Sequence, residues 1–169
     1  MITLYDVVAA RRHMAQFGFL DPGLLSSALY TLEEAGEVLS LIHLELRPED
    51  LRARGKEARD KMDKELAQTV FMAFSCLAHC GSALVTVEYD RREPNYSDLT
   101  LALQMVTDAL ETVKAATVGD TMLASAHATE VVAWAYLLAE RYGSNIAAAM
   151  WNWLGSIEDK VLAERESAA

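Results

Sequence analysis

Apolar positions recur along this chain at steps of three, four and seven, the spacing of helices that bury one face. Val7, Val8 and Met14 predict a first helix over residues 2–17. Gly18 and the run Asp21–Pro22–Gly23 interrupt it, with Asp21 suited to cap the next helix and Pro22 to its first turn. Leu25, Leu29, Leu32, Gly36, Leu39 and Leu46 then predict an amphipathic helix reaching about Arg47, where Pro48 stops it. A mixed-charge stretch follows from Glu49 to Lys64, loop at first and then the solvated start of a third helix. Leu66, Val70, Ala73, Leu77 and Leu84 form the stripe of that helix. The clearest internal break is Arg91–Arg92–Glu93–Pro94–Asn95. Ser97 or Asp98 can cap a fourth helix to about Thr117, and Gly119–Asp120 makes the next turn. A fifth helix spans about Thr121 to Tyr142 with Gly143 as its stop, and Asn145 opens a sixth to about Arg165. No strand alternation survives, so the expected fold is an all-α antiparallel bundle of five to six helices.

Composition narrows the function. In 169 residues there are 8 Gly and 3 Pro, few for a fold of many short strands. With 52% hydrophobic and 24% charged residues, one domain with a real core is expected over residues 1–169. Fifteen Lys and Arg stand against 25 Asp and Glu, a formal charge of -10, which argues against a nucleic-acid partner. An acidic chain still binds a nucleotide when divalent ions bridge the two. Cys76 and Cys80 share a helix face and read as free buried thiols; His79 beside them has no second cluster to complete a tetrahedral metal set. The first residues lack a basic segment followed by an apolar core, and no uncharged run reaches the roughly 20 residues of a membrane span. The expectation is a cytoplasmic protein with no membrane partner.

Candidate chemistry lies in Leu32–Glu33–Glu34–Ala35–Gly36–Glu37–Val38. Glu34 and Glu37 are three apart, Glu33 and Glu37 four apart, so their charges crowd one side of a helix and repel. No Lys or Arg lies between Arg12 and Arg47 to relieve them. A solvated acidic face is one reading; a divalent cation is the other. Mg²⁺ takes carboxylate oxygens and keeps waters that substrate phosphates replace. Glu65 opens the apolar part of the third helix, and the Pro48 break allows an antiparallel hairpin that brings it to the same face.

The pair Glu33–Glu34–x–x–Glu37 and Glu65–x–x–Gln68, the latter running into Val70–Phe71, resembles the MazG-type all-α nucleoside triphosphate pyrophosphohydrolases. Their pattern is E-E-x-x-E on one helix and E-x-x-D on the next. Arg12–His13 and Phe17–Gly18 also resemble the family's opening segment, and the likeness covers residues 1–82. It implies Mg²⁺ or Mn²⁺ ligands at Glu34, Glu37 and Glu65, with Glu33 and Glu34 as catalytic carboxylates. The motif's last Asp falls on Gln68, a neutral and weaker ligand. Lys61 and Lys64 are the candidates for phosphate contact. The implied activity is hydrolysis of a nucleoside triphosphate to monophosphate and pyrophosphate, by a homo-oligomer, most simply a dimer.

The motif-bearing half spans residues 1–92, and a degenerate second half is expected over 97–165. Val70, Ala73 and Gly81 match Val132, Ala135 and Gly143 when Glu65 is laid on His127. Leu110–Glu111 then echoes Leu32–Glu33, and Glu130 takes the position of Gln68, so His127 and Glu130 are second-half candidates for the site. Trp151 and Trp153 cannot share one helix face, so one is expected in the core and the other outward, against a partner or a base. Gln68 and the altered sixth helix leave an alternative function: a non-catalytic helical oligomerisation or regulatory protein. A carboxylate-bridged iron protein needs Glu-x-x-His pairs, whereas Ser40, Gln68 and Ala133 follow Glu37, Glu65 and Glu130 at that spacing.

Overall fold

The computed structural model describes residues 3–16, 21–45, 55–82 and 96–167. These form six α-helices: α1 (Leu4–Gln16), α2 (Gly23–Ser40), α3 (Lys56–His79), α4 (Asp98–Val118), α5 (Thr121–Tyr142) and α6 (Ile146–Ser167). A turn of π-helix, Leu41–Glu45, continues α2. There are no strands among the described residues, and the fold is an all-α bundle. Pro48, Leu84, Phe17–Gly18 and the 91–95 break lie outside the described residues.

Two antiparallel hairpins build the bundle. Glu34 meets Gln68 while Glu37 meets Glu65, so α2 and α3 run in opposite directions. Asp98 meets Tyr142 while Asp108 meets His127, which sets α4 against α5 in the same way. The hairpins pack with α2 on α4 and α3 on α5. The Ser82 hydroxyl lies 2.6 Å from that of Ser125, bringing the end of α3 beside the start of α5. Helices α1 and α6 cover the remaining flank of α3.

The α3 stripe is the spine of the core: Leu66, Val70, Ala73 and Leu77 are fully buried, with Met62 and Phe74 beside them. On α2 the expected stripe is corrected. Leu25 and Leu29 are 43% and 50% exposed, and the buried positions are Ser27, Ala28, Thr31, Ala35 and Val38. Small side chains face α3 because its Met, Leu and Phe residues already fill the space between the axes. The helix stops follow backbone chemistry. Gly119 and Gly143 end α4 and α5 in the left-handed region (φ 76° and 65°), where a Cβ is strained. Ser97 accepts from the Thr100 N–H and Asn145 from that of Ala148, capping α4 and α6. Asp21 does not cap α2 as expected. Pro22 occupies the cap position, and Asp21 accepts from Gly23 and pairs with Arg11 and His79.

The hairpins repeat one burial pattern. Ala28, Thr31, Ala35 and Val38 of α2 match Ala102, Met105, Ala109 and Thr112 of α4, all fully buried. Met62, Leu66, Thr69, Val70, Ala73 and Cys76 of α3 match Ala124, Ala128, Val131, Val132, Ala135 and Leu138 of α5 in the same way. Both second helices also end alike, Ser82 N–H bonding the Leu77 carbonyl and Ser144 N–H that of Ala139. This register sets Glu111 opposite Glu37, one turn from its expected match with Glu33.

By length and composition one described helix, α5, is apolar enough to cross a membrane. Here it is a core helix, with Val131, Val132 and Leu138 buried against its neighbours.

Candidate metal centre

Glu34 and Glu37 come from consecutive turns of α2, and Glu65 faces them from α3. One carboxylate oxygen of each lies within 4.8 Å of the other two. Opposite ligands of a Mg²⁺ ion stand roughly 4.2 Å apart at Mg–O distances near 2.1 Å, so side-chain adjustments of under about 1 Å bring the three into contact with one ion. Glu33, about 100° further around α2, is exposed and stays outside this group.

The charges are costly without an ion. Burial, then the charges of Glu65 and Glu37, push the Glu34 carboxyl up from 4.5 to about 7. Burial also raises Glu65, against the hydrogen bond and charge of Lys64, with Glu37 adding to the rise. The Lys64 ammonium lies 3.1 Å from Glu65 Oε1 and is half exposed. The other oxygen, Glu65 Oε2, is buried in a residue only 2% exposed and has no N–H or hydroxyl donor; the carboxyls of Glu37 and Glu34 bond Glu65 only by sharing a proton. An unpaired buried carboxylate oxygen is expensive, and a cation beside it removes that cost. The donor set therefore fits a hard divalent ion.

Gln68, buried beside this group, takes a different part from the one its position suggests. Its Nε2 donates to Glu34 Oε1 at 3.4 Å, while its Oε1 is buried without a partner. An amide pointing its N–H at Glu34 steadies that carboxylate and does not itself present an oxygen to it. Lys61 lies exposed one turn before Lys64.

His127 and Glu130 belong elsewhere. His127 Nδ1 is 2.9 Å from Asp108 Oδ1, and Trp134 Nε1 donates to Asp108 Oδ2 at 2.8 Å. Glu130 is exposed. In the repeated pattern Asp108 and Glu111 stand where Glu34 and Glu37 stand, His127 where Glu65 stands, and Trp134 where Met72 stands. The expected loan of His127 or Glu130 to the three glutamates is therefore not seen. Both oxygens of Asp108 are already engaged within the second hairpin. Asp108 went unremarked in the sequence, although Asp108–x–x–Glu111 repeats the spacing of Glu34–x–x–Glu37.

A cavity of about 680 Å³ opens between α1, α2, α3 and α6, and none of the three glutamates lines it. Tyr30, one turn before Glu34, and Met72, one turn after Gln68, form its near end. Phe71 and Trp153 make a wall, their rings 5.4 Å apart and at 77°. The far end is polar. Arg11 reaches Asp21 and His79 Nε2, and His79 Nε2 is 2.8 Å from Asp21. Burial and the Arg11 charge hold His79 below its usual range. Trp153 is thus the inward member of its pair, and Trp151 is half exposed. Cys76 is a buried thiol, pushed up to about 12 by burial, and Cys80 is partly exposed. Neither a protein family, a curated protein nor a solved structure matches this chain.

Proposed function

We propose that the chain is a divalent-metal-dependent pyrophosphohydrolase of MazG type, cleaving a nucleoside triphosphate to monophosphate and pyrophosphate. One observation carries this reading: three glutamate oxygens from two helices within 4.8 Å, one of the residues buried with an oxygen that has no N–H or hydroxyl donor. A purely structural acidic face has no reason to bury Glu65.

Glu34, Glu37 and Glu65 would hold Mg²⁺ or Mn²⁺, which screens phosphate charge and polarises the α-phosphate when bound. Lys64 and Lys61 lie on the first turns of α3, where a triphosphate tail would extend. Water attacks the α-phosphorus, pyrophosphate leaves, and the water's proton passes to a carboxylate not spent on the ion, for which Glu33, exposed beside Glu34 on α2, is the candidate. The adjoining cavity is of a size that takes a small organic molecule. Its lining residues Tyr30 and Met72 stand one helical turn along α2 and α3 from Glu34 and Gln68.

The second reading is a non-catalytic oligomerisation or regulatory protein, and Gln68 favours it by replacing a carboxylate of the motif. Phosphorus NMR of the chain with Mg²⁺ and each common nucleoside triphosphate separates the two. Monophosphate and pyrophosphate formed by the wild type and lost in Glu37→Gln are expected; turnover of none supports the second reading. In either case the working form is a homodimer in a cytoplasmic setting. Leu25 and Leu29 on α2 and Leu99 and Leu103 on α4 occupy matching, solvent-facing positions, an apolar face for a second copy.

A further inference from the structure

We infer that Lys64 on α3 couples the ion to the substrate. Its ammonium takes one oxygen of Glu65, leaves the other to the ion, and offers its remaining N–H groups to a phosphate oxygen. This role rests on the hydrolase reading for the phosphate, and adds how the site makes metal binding and substrate binding depend on each other.

Three observations lead to it. The first is how the two oxygens of Glu65 are divided. Lys64 Nζ lies 3.1 Å from Oε1, while Oε2 is buried and has no N–H or hydroxyl donor. An ion that joins Glu34, Glu37 and Glu65 thus has Oε2 to bind without displacing the ammonium.

The second is where Lys64 stands. Adjacent residues of a helix project about 100° apart and do not face one another, so its side chain bends across α3 to reach Glu65. There it meets the charge of the cluster: three carboxylates outweigh one ammonium, and Lys64 acts against the rise at both Glu34 and Glu65. Its side chain is 50% exposed, against 3% for Glu65. Of its three N–H groups, one hydrogen bond among the described residues uses one, the bond to Glu65. The ammonium therefore sits at the edge of the site, with one side on a ligand and the other toward solvent, from which a substrate arrives.

The third is the second hairpin. The register that sets His127 at Glu65 sets Ala126 at Lys64. There Asp108 is satisfied by His127 and Trp134, and the matching position holds no cation. The ammonium goes with the three glutamates.

The two contacts of Lys64 have effects of opposite sign. Beside a bound ion it is a like charge, which weakens the affinity for the ion alone. Toward a phosphate it is a charged donor, which strengthens the affinity for the substrate. A residue that merely holds Glu65 in place moves both affinities in the same direction.

The test is calorimetric titration at pH 8 of Mn²⁺ into the wild type, Lys64→Gln and Lys64→Arg. Inorganic pyrophosphate, the fragment common to all the triphosphates, is then titrated into each protein in saturating Mg²⁺. Lys64→Gln should bind Mn²⁺ about threefold or more tightly and pyrophosphate about tenfold more weakly. Lys64→Arg, which keeps the charge, should restore most of both values. A fall of both affinities in Lys64→Gln, or unchanged pyrophosphate binding, overturns the role of Lys64. With monophosphate and pyrophosphate still formed from a triphosphate by the wild type, that result leaves the hydrolase reading intact. Opposite shifts in a protein that cleaves no triphosphate keep the role of Lys64 and remove the hydrolase reading. No Mn²⁺ bound by the wild type overturns both.

Discussion

Glu34 has burial, Glu65 and Glu37 all acting against its charge, and its carboxyl stays protonated up to about pH 7. The unfolded chain titrates that group near 4.5, so between the two values the folded chain binds more protons. Its contribution to stability is full below about pH 4.5, declines as pH rises through that window, and is flat above about 7. Glu65 is shifted in the same direction. Asp6 and Asp21 are lowered by their partners and titrate below the window. His79, held low, works in the opposite sense and gains stability as pH rises to its usual 6.5, so the melting temperature in EDTA, read as the wild type relative to Glu34→Gln, should fall by a few degrees from pH 5 to pH 8. Solvent screening of the partly buried Glu34 holds the change to about 1 kcal/mol, or about 2–4 °C in a chain of this size. Mg²⁺ should add most stability above pH 7. A difference between the two proteins that is flat or rises with pH in EDTA contradicts this. Gln68→Asp carries the argument to the neighbouring residue. It removes the N–H that steadies Glu34 and adds a fourth like charge, so the metal-free protein should melt about 2–4 °C lower. With an ion present the same carboxylate should tighten binding, by about tenfold. An unchanged Mg²⁺ response in this variant assigns the face to solvent.

Among the elements, α4 and α5 show what happens to the repeated positions when no ion is needed. Asp108 is satisfied from two sides, by Trp134 and His127, with its side chain only 16% exposed. Trp134→Phe leaves one oxygen without its donor and should cost about 1–3 kcal/mol, measured by urea unfolding. A loss below about 0.3 kcal/mol means that water replaces the indole. The elements also show why part of the structure was legible in the sequence. The α3 stripe, the Gly119 and Gly143 stops and the caps at Ser97 and Asn145 are local features, fixed by residues within a turn of one another. So is the Glu34–x–x–Glu37 spacing. The burial of Ala28 and Ala35 over Leu25 and Leu29 is not local: it depends on the large side chains that α3 brings to the interface. Gly81, with φ 69°, ends α3 well before the expected break, because Leu84 extends the apparent stripe past the stop. The roles of Gln68, Asp108 and the Arg11–Asp21–His79 group depend on partners tens of residues away.

At the scale of the molecule, the bundle sets a charged centre and a cavity on one hairpin and a self-satisfied network on the other. Among the described residues nothing buries its outward leucines on α2 and α4. A dimer closed through them should fall apart when Leu29 and Leu103 are both replaced by Glu, with sedimentation at micromolar concentration reading the change; a wild type that sediments only as an 18.6 kDa species rejects the dimer. The most direct test of the whole account is calorimetric titration of Mn²⁺ into the wild type and Glu65→Gln at pH 8. The wild type should show one saturable site per chain. Glu65→Gln, folded and at least as stable without metal, should bind at least about tenfold more weakly. No saturable site in the wild type, or equal affinity in the two proteins, contradicts a metal centre at Glu34, Glu37 and Glu65.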